Sequence, residues 1–363
     1  MRAIFSHTVS RLLQFAVGQD VSLRGAMELI NESGLGIVVV VDSTGQLLDV
    51  VTDGDLRRAV LAGVALASPI STLQSRRTER PTVVRVGMRP GELVRIMKGK
   101  GIRHVPLVAD DGKVVDLALL DELVEAPEEP KFTALVMAGG LGKRLMPLTA
   151  DTPKPMLPLG AKPVVEHLVE KLRTAGIRQV VMATHYRSEA LSTHFGDGSA
   201  FGMDISYADE EVPLGTAGAL GKLNAPEEPL LVVNGDIVTD LNYRAMFDFH
   251  REQRAEMTVG VRHYEFNVPY GVVHTEDSLI TDIAEKPTQR MFVNAGIYLC
   301  EPQVCALVPQ DRRFDMTDLI ARLIAGKRRV VAFPICEYWV DIGRPEDYEE
   351  ARARASATQG TAR

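Results

Sequence analysis

Residues Leu135 to Gly160 read LVMAGGLGKRLMPLTADTPKPMLPLG. The segment Lys131 to Ala138, KFTALVMA, has the length and composition of a buried strand, and Gly139, Gly140 and Gly142 follow at once. Glycine lets backbone N–H groups approach a ligand that a side chain would exclude, and Lys143, Arg144 and Lys154 add positive charge. Such a loop suits phosphate. It matches neither of two common phosphate loops. A Walker loop needs glycine where Met137 stands and Ser or Thr where Arg144 stands, and a dinucleotide fingerprint needs a glycine where Leu145 stands.

Downstream, strand and helix patterns alternate. Thr133 to Ala138, Gln179 to Thr184, Leu230 to Asn234 and Met257 to Val261 read as strands; Val164 to Leu172, Ser188 to His194 and Tyr243 to Gln253 read as helices. The alternation predicts a mostly parallel sheet with helices on both faces and ligands at the carboxyl ends of strands, where the glycine loop begins.

Upstream lies an internal repeat. Ser33 to Leu56 sets over Lys100 to Leu123 without a slip in register, Gly34 on Gly101, Gly45 on Gly112, Asp49 on Asp116 and Leu56 on Leu123. Each copy reads as a helix (Leu23 to Asn31; Gly91 to Lys98), two strands joined at a glycine turn, then a second helix. The acidic, proline-bearing stretch Glu125 to Lys131 marks the junction, with an expected linker at 127–131 between a module at 1–126 and a domain at 132–355. The last residues, 356–363, are expected to be a flexible tail.

At 363 residues the chain is long enough for two domains, and 45% hydrophobic with 25% charged residues is an ordinary globular composition. A formal charge of −7 disfavours general nucleic-acid binding, and no apolar run approaches the ~20 residues of a membrane helix. Three cysteines, Cys300, Cys305 and Cys336, form no CxxC pair, and the N-terminus shows no signal-peptide pattern; a cytoplasmic location is the expectation. No HExxH spacing and no GxSxG elbow is present.

The upstream repeat resembles a tandem pair of cystathionine beta-synthase (CBS) motifs, a Bateman module, over roughly residues 5 to 126. The resemblance implies AMP or ATP binding and pairing with another copy, hence a homo-oligomer. It also implies a Thr and an Asp that hold phosphate and ribose, met here by Thr52 and Asp55 of TDGD. The second copy has Leu119 and Glu122 at those places, so at most one good nucleotide site is expected. The alternative is a module kept for dimerisation, with Asp55 a plain helix cap.

The glycine loop resembles the pattern GGxGTRLxPLTxxxPKP of sugar-phosphate nucleotidyltransferases, through Gly139, Gly140, Gly142, Arg144, Leu145, Pro147, Leu148, Thr149 and PKP at Pro153 to Pro155. Lys143 departs from it, standing where Thr or Ser is common; it either lies against the triphosphate or faces solvent. Further matches follow in order: PLGTAGAL (Pro213 to Leu220), a turn leading into a helix; VNGD, ending at Asp236; PYGVV from Pro269; EKP from Glu285; VNAGIY from Val293; and WVDIGRPEDY with Asp341. The fold implied is α/β, a Rossmann-like, mostly parallel mixed sheet of GT-A-like kind behind the α+β CBS pair.

The same resemblance assigns roles. Leu135, Ala138, Gly139, Gly140, Gly142, Lys143, Glu210, Gly215, Thr216 and Asp236 would bind nucleotide; Arg144 would clamp the triphosphate and Lys154 the reacting phosphates. Tyr270, Gly271, Glu285, Lys286 and Asn294 would hold the sugar phosphate. Asp236 and Asp341 are hard carboxylates of the kind Mg²⁺ prefers, and Mg²⁺ is the expected cofactor. The substrates implied are an NTP and a sugar 1-phosphate, with neither nucleic acid nor membrane as partner. Glu210 and Glu211 stand before the glycine turn where pyrimidine-using relatives carry Gln. A carboxylate only accepts, and guanine offers paired donors, so GTP is the preferred donor; the alternative has both acids facing solvent. Rival readings are the same reaction with UTP, dTTP or CTP, and a non-catalytic nucleotide-sensing regulator on this fold.

Overall fold

A computed structural model describes residues 12–74, 81–124, 132–140, 142–185, 187–210, 212–223, 226–310 and 312–360. The chain forms two compact units, Met1–Pro130 and Lys131–Arg363. The expected linker, 127–131, lies outside the described residues.

In the first unit, β1 (Ala16–Gly18), α1 (Leu23–Ser33), β2 (Ile37–Val41), β3 (Leu47–Thr52) and α2 (Asp53–Leu61) make one copy of the repeat. The second comprises β4 (Val84–Arg85), α3 (Pro90–Lys100), β5 (His104–Val108), β6 (Val114–Leu119) and the short α4 (Leu120–Leu123). The ends of α1, β2 and β3 recur 67 positions later in α3, β5 and β6. The cause is local. Both long helices stop at a left-handed glycine, Gly34 at φ 68° and Gly101 at φ 66°, where an L side chain would be strained. Both hairpins bulge at the same place, between Val40 and Val41 and between Leu107 and Val108. The copies share a core of Phe15, Ile37 and Val39 with Val108, Val114 and Leu117, and a bridge joins Gln46 to Lys113.

His104, at the start of β5, illustrates what that packing costs. Burial, aided by the Arg103 charge, pushes its imidazole down to about 4 from 6.5. Between those values the unfolded chain takes up a proton that the folded one excludes, so stability falls as pH drops from 6.5 towards 4. The full span amounts to on the order of 3 kcal/mol. Urea denaturation read by hydrogen exchange in peptides covering His104–Leu119 at pH 7, 6 and 5 should show the loss, and His104→Gln should flatten it.

In the second unit the parallel strands β7 (Thr133–Met137), β8 (Gln179–Thr184), β9 (Asp204–Asp209) and β10 (Leu230–Asn234) alternate with α5 (Val164–Thr174) and α6 (Ser188–Phe195). Then come β11 (Ile237–Thr239), α7 (Tyr243–Glu252), β12 (Met257–Asn267), β13 (Val272–Glu276), β14 (Leu279–Ala284) and β15 (Thr288–Cys300). The unit ends with α8 (Met316–Ala325), β16 (Val330–Ile335), β17 (Trp339–Asp341) and α9 (Pro345–Gly360). Seven strands form one sheet in the order β9-β8-β7-β10-β15-β12-β16, and only β15 runs against the rest. This is the α/β, mostly parallel mixed sheet that the alternation predicts.

The central strands are apolar on both faces because both are covered. Val136 and Val233 turn to a core with Val165, Leu168, Leu191 and Phe249 from α5, α6 and α7. Their neighbours Leu135 and Val232 turn the other way, to Met316, Leu319 and Leu323 of α8. The helix expected after PLGTAG is instead a 3₁₀ run, Gly218–Lys222. The run is closely packed: a Cβ on Gly218 would clash with Leu214, and one on Gly221 would sit 2.7 Å from the Pro309 carbonyl oxygen. Helix α9 runs to Gly360, past the position where a tail is expected to begin.

Candidate functional site

Three adjacent parallel strands, β8, β7 and β10, end side by side, and their ladder continues into the loops. The Ala138 amide donates to the Ala183 carbonyl at 2.8 Å and the Gly235 amide to that of Met137 at 2.9 Å. The glycine loop starts at this edge. A Cβ on Gly139 would lie 3.2 Å from the Cβ of His185, so the loop hugs β8. Gly142 takes φ +60°, and a side chain there would meet the Thr149 methyl at 2.8 Å. The Thr149 hydroxyl donates to the Gly142 carbonyl at 2.8 Å and fixes the turn, which continues into a single 3₁₀ turn at Lys143–Leu145. Lys143 and Arg144 are exposed and Gly140 is open on its Cβ side. Leu135 is buried in the core and brings no side chain to the loop, and Ala138 is buried at its root.

Asp236 and Asp341 stand 105 positions apart in the chain and meet. The short ladder of β11 on β17 pairs Ile237 with Asp341, and the Ile342 amide donates to the Asp236 carbonyl at 3.1 Å. Lys154, about a tenth exposed, fills the space between the two acids. Its ammonium donates to Asp236 Oδ2 and lies 3.6 Å from Asp341 Oδ1. One oxygen of each acid, Oδ1 of Asp236 and Oδ1 of Asp341, is buried without a hydrogen-bond partner. Burial holds the Asp341 carboxyl above its ordinary range and the Asp236 charge adds to this, while Lys154 and Arg144 pull it back. Arg144 reaches this cluster, its guanidinium lying 3.7 Å from where a Cβ of Gly343 would stand.

No cluster of three or more His, Cys, Asp or Glu able to hold a metal exists among the described residues. Two carboxylates completed by substrate phosphates are the usual way of holding Mg²⁺, and the two buried oxygens that lack a hydrogen bond fit that donor set.

Glu210, expected from the sequence to meet the base, stands next to the glycine loop. His185 Nδ1 lies 2.7 Å from the Glu210 carbonyl, which places this residue beside the glycine loop. Its carboxylate accepts from the Leu214 amide at 3.2 Å through Oε2, and Oε1 is buried without a partner. Glu211 lies outside the described residues. The turn at Gly215, φ +84°, is locked by a residue that sequence reasoning missed. Asp315 Oδ1 accepts from the Thr216 amide at 3.0 Å, and the Thr216 hydroxyl accepts from the Met316 amide at 2.8 Å. Asp315 gives no sequence signal beyond that of a helix cap, since its second partner lies 99 residues away.

Tyr270, Gly271, Glu285 and Lys286 lie on an arm of β strands beyond the sheet, Tyr270, Glu285 and Lys286 exposed and Lys286 at φ +46°. Gly271 faces Glu285, whose Oε2 would be 3.1 Å from a Cβ on the glycine. Asn294 lies on β15 and accepts from the Gly296 amide at 3.0 Å; Gly296 in turn abuts the Asn234 side chain, two residues before Asp236. In the first unit, Thr52 and Asp55 close a reciprocal capping box on α2. The Asp55 amide donates to Thr52 Oγ1 at 3.2 Å and the Thr52 amide to Asp55 Oδ2 at 3.0 Å. Leu119 makes no side-chain cap, and α4 spans four residues.

This edge of a mostly parallel sheet, with a cationic glycine loop facing two acids, defines a phosphate-handling α/β protein. Residues 133–358 match the Nucleotidyl transferase family, and the chain belongs to it. Residues 14–62 and 76–129 match the CBS domain. Mannose-1-phosphate guanylyltransferase of Mycobacterium tuberculosis is 36% identical over 240 residues, 63% of this chain and 65% of that protein. The chain thus spans less than two thirds of that relative's length. D-glycero-alpha-D-manno-heptose 1-phosphate guanylyltransferase of Aneurinibacillus thermoaerophilus is 32% identical over 60% of this chain and 96% of its own. A crystal structure described as a putative glucose-1-phosphate thymidylyltransferase from Bacillus anthracis, in complex with a sucrose, superposes with a TM-score of 0.51 at 25% identity, over 62% of this chain and 95% of that one.

Proposed function

We propose that this protein transfers a nucleotidyl group from an NTP, preferably GTP, to a sugar 1-phosphate, releasing pyrophosphate. The observation that carries the reading is the meeting of Asp236, Asp341 and Lys154 at the mouth of the glycine loop. Family membership and the names of the relatives support it. A sugar 1-phosphate is already an oxyanion near neutral pH, its second pKa being about 6, so the protein has no need of a base. The oxyanion attacks the α-phosphorus, a new P–O bond forms, and the bond to the β-phosphate oxygen breaks in line. Arg144 and the backbone amides of Gly139, Gly140 and Gly142 hold the triphosphate, while Lys154 neutralises charge at the reacting phosphates. On the arm, Tyr270, Gly271, Glu285 and Lys286 face the sugar phosphate, with Asn294 behind them. Mg²⁺ is the proposed ion; Asp236 and Asp341 would hold it, and it would supply charge neutralisation at the reacting phosphates.

The unpaired Oε1 of Glu210 supports guanine, since it accepts where that base donates. Turnover across GTP, UTP, dTTP, CTP and ATP, each with a library of sugar 1-phosphates and read as pyrophosphate release, tests this. GTP should lead, and Glu210→Gln should cut kcat/KM for GTP by about 10-fold or more, as expected for one hydrogen bond to a charged group. Strong UTP or dTTP turnover without GTP turnover overturns the guanine assignment. The thymidylyltransferase description of the solved relative makes that the second reading.

For the first unit we propose one adenine-nucleotide site, at the start of α2, and a regulatory role. Because Thr52 and Asp55 already cap that helix, a ligand must compete with the capping box or use its remaining lone pairs. Calorimetric titration with AMP and ATP should show one site per chain; absence of heat, with unchanged turnover, leaves a scaffolding role. A cytoplasmic location belongs to the proposal and rests on the buried free thiols of Cys300 and Cys305. No helix among the described residues is long and apolar enough to cross a membrane.

A further inference from the structure

Residues 214–217, in the turn expected to meet the base, are joined by four hydrogen bonds to residues 314–316, some 99 to 100 positions away. Two of the bonds run between backbones, from the Phe314 amide to the Leu214 carbonyl at 2.8 Å and from the Ala217 amide to the Phe314 carbonyl at 3.0 Å. The other two are those of Thr216 with Asp315 and Met316. Nothing fits between the segments. A Cβ on Gly215 would lie 2.5 Å from Asp315 Oδ1 and 2.7 Å from the Phe314 carbonyl oxygen. The turn is therefore fixed to the start of α8.

That attachment reaches Glu210. Its main chain is held at the end of β8, the amide donating to the Thr184 carbonyl at 2.8 Å and the carbonyl facing His185 Nδ1 at 2.7 Å. Its carboxylate is aimed separately, by the Leu214 amide at 3.2 Å from Oε2. Leu214 is the residue whose carbonyl the Phe314 amide holds, one position before Gly215. The other oxygen, Oε1, is buried without a hydrogen-bond partner, so its direction decides which base edge can meet it. The Thr216 amide is engaged by Asp315, so through that group Thr216 holds the turn rather than the nucleotide.

We infer that Asp315 is a positioning residue for base selection: it holds the turn so that Leu214 aims the Glu210 carboxylate and leaves Oε1 as the acceptor that the base meets. The inference rests on the transferase reading above, with Glu210 as the base contact. The duller role of Asp315 is the N-cap of α8, and substitution separates the two. Serine caps a helix as well as aspartate does. It has one oxygen on a shorter side chain, however, and does not also span to the Thr216 amide.

Calorimetric titration of the full chain with GTP and with UTP, Mg²⁺ present and sugar phosphate absent, tests this and reads binding rather than turnover. Asp315→Ser should weaken GTP binding by about 10-fold, as for one hydrogen bond to a charged group, and UTP binding by less than ~3-fold. Asp315→Asn, which keeps an acceptor in the place of Oδ1, should bind GTP within ~3-fold of the parent. In the Glu210→Gln background the serine substitution should add almost nothing, because residues that act through one another are not additive. Equal losses for both nucleotides, or a full further loss in the Glu210→Gln background, leave Asp315 a helix cap and overturn the inference. Should Asp315→Ser fail to fold, Thr216→Val, which deletes the bond to the Met316 amide from an exposed side chain, takes its place in the same cycle. A parent that binds UTP and not GTP sinks the guanine reading alone, and the cycle run with UTP then decides Asp315 by additivity. A parent that binds neither nucleotide overturns both.

Discussion

Asp236→Asn should lower turnover by about 10³-fold while leaving the fold intact. The substitution preserves shape and removes one negative charge, so what it tests is charge. The Asp236 carboxylate is in contact with Lys154, and its second oxygen is buried with no partner. An amide there places an N–H₂ donor beside an ammonium and withdraws the hard anionic oxygen that a dication prefers. Asp341→Asn should behave alike but less severely, because that side chain is twice as exposed, at 42% against 21%. Steady-state turnover over a Mg²⁺ or Mn²⁺ titration measures both. Full turnover of Asp236→Asn with unchanged metal demand would remove the metal assignment, and with it the mechanism.

The strands Gln179–Thr184 and Leu230–Asn234 are legible residue by residue because each is a short, continuous apolar run that the sheet buries. The repeat is legible for a different reason: the same two glycine conformations recur in both copies, and nothing but glycine adopts them cheaply. Less visible are β9 and β16. The first is an edge strand with one buried residue in six, and the second is only half buried, so neither shows a clean pattern. The strand read as Met257 to Val261 continues to Asn267, beyond the core, because β15 offers it a partner; that pairing partner is invisible in the local sequence. The site divides in the same way. The glycine loop and both acids stand out as motifs, whereas their proximity depends on the β11–β17 ladder and on Trp339, whose indole donates to the Ala295 carbonyl at 2.9 Å. Asp315, which holds the Gly215 turn, escaped notice since its helix-cap role explains it fully without any second partner.

Lys154→Met offers a test in which two consequences have opposite signs. Methionine keeps the length and volume of the side chain and deletes the ammonium. Turnover should fall by about 10²-fold or more, as for other groups that neutralise charge in a transition state. Metal affinity of the free protein should move the other way. In the parent, the ammonium competes with a dication for the same two carboxylates, being in contact with Asp236 and 3.6 Å from Asp341. Without it only Arg144 offsets the two acids, and Asp341, already held above its ordinary range by burial and by Asp236, rises further. Protons and dications then compete for that pair, so Mn²⁺ binding without nucleotide should tighten by about 10-fold at neutral pH and weaken as pH falls through the raised carboxyl pKa. Mn²⁺ titration followed by electron paramagnetic resonance measures this without turnover. If affinity and turnover fall together, Lys154 helps to orient the acids for the metal rather than sharing its place, and the parent site is preorganised for a cation instead of being screened from one.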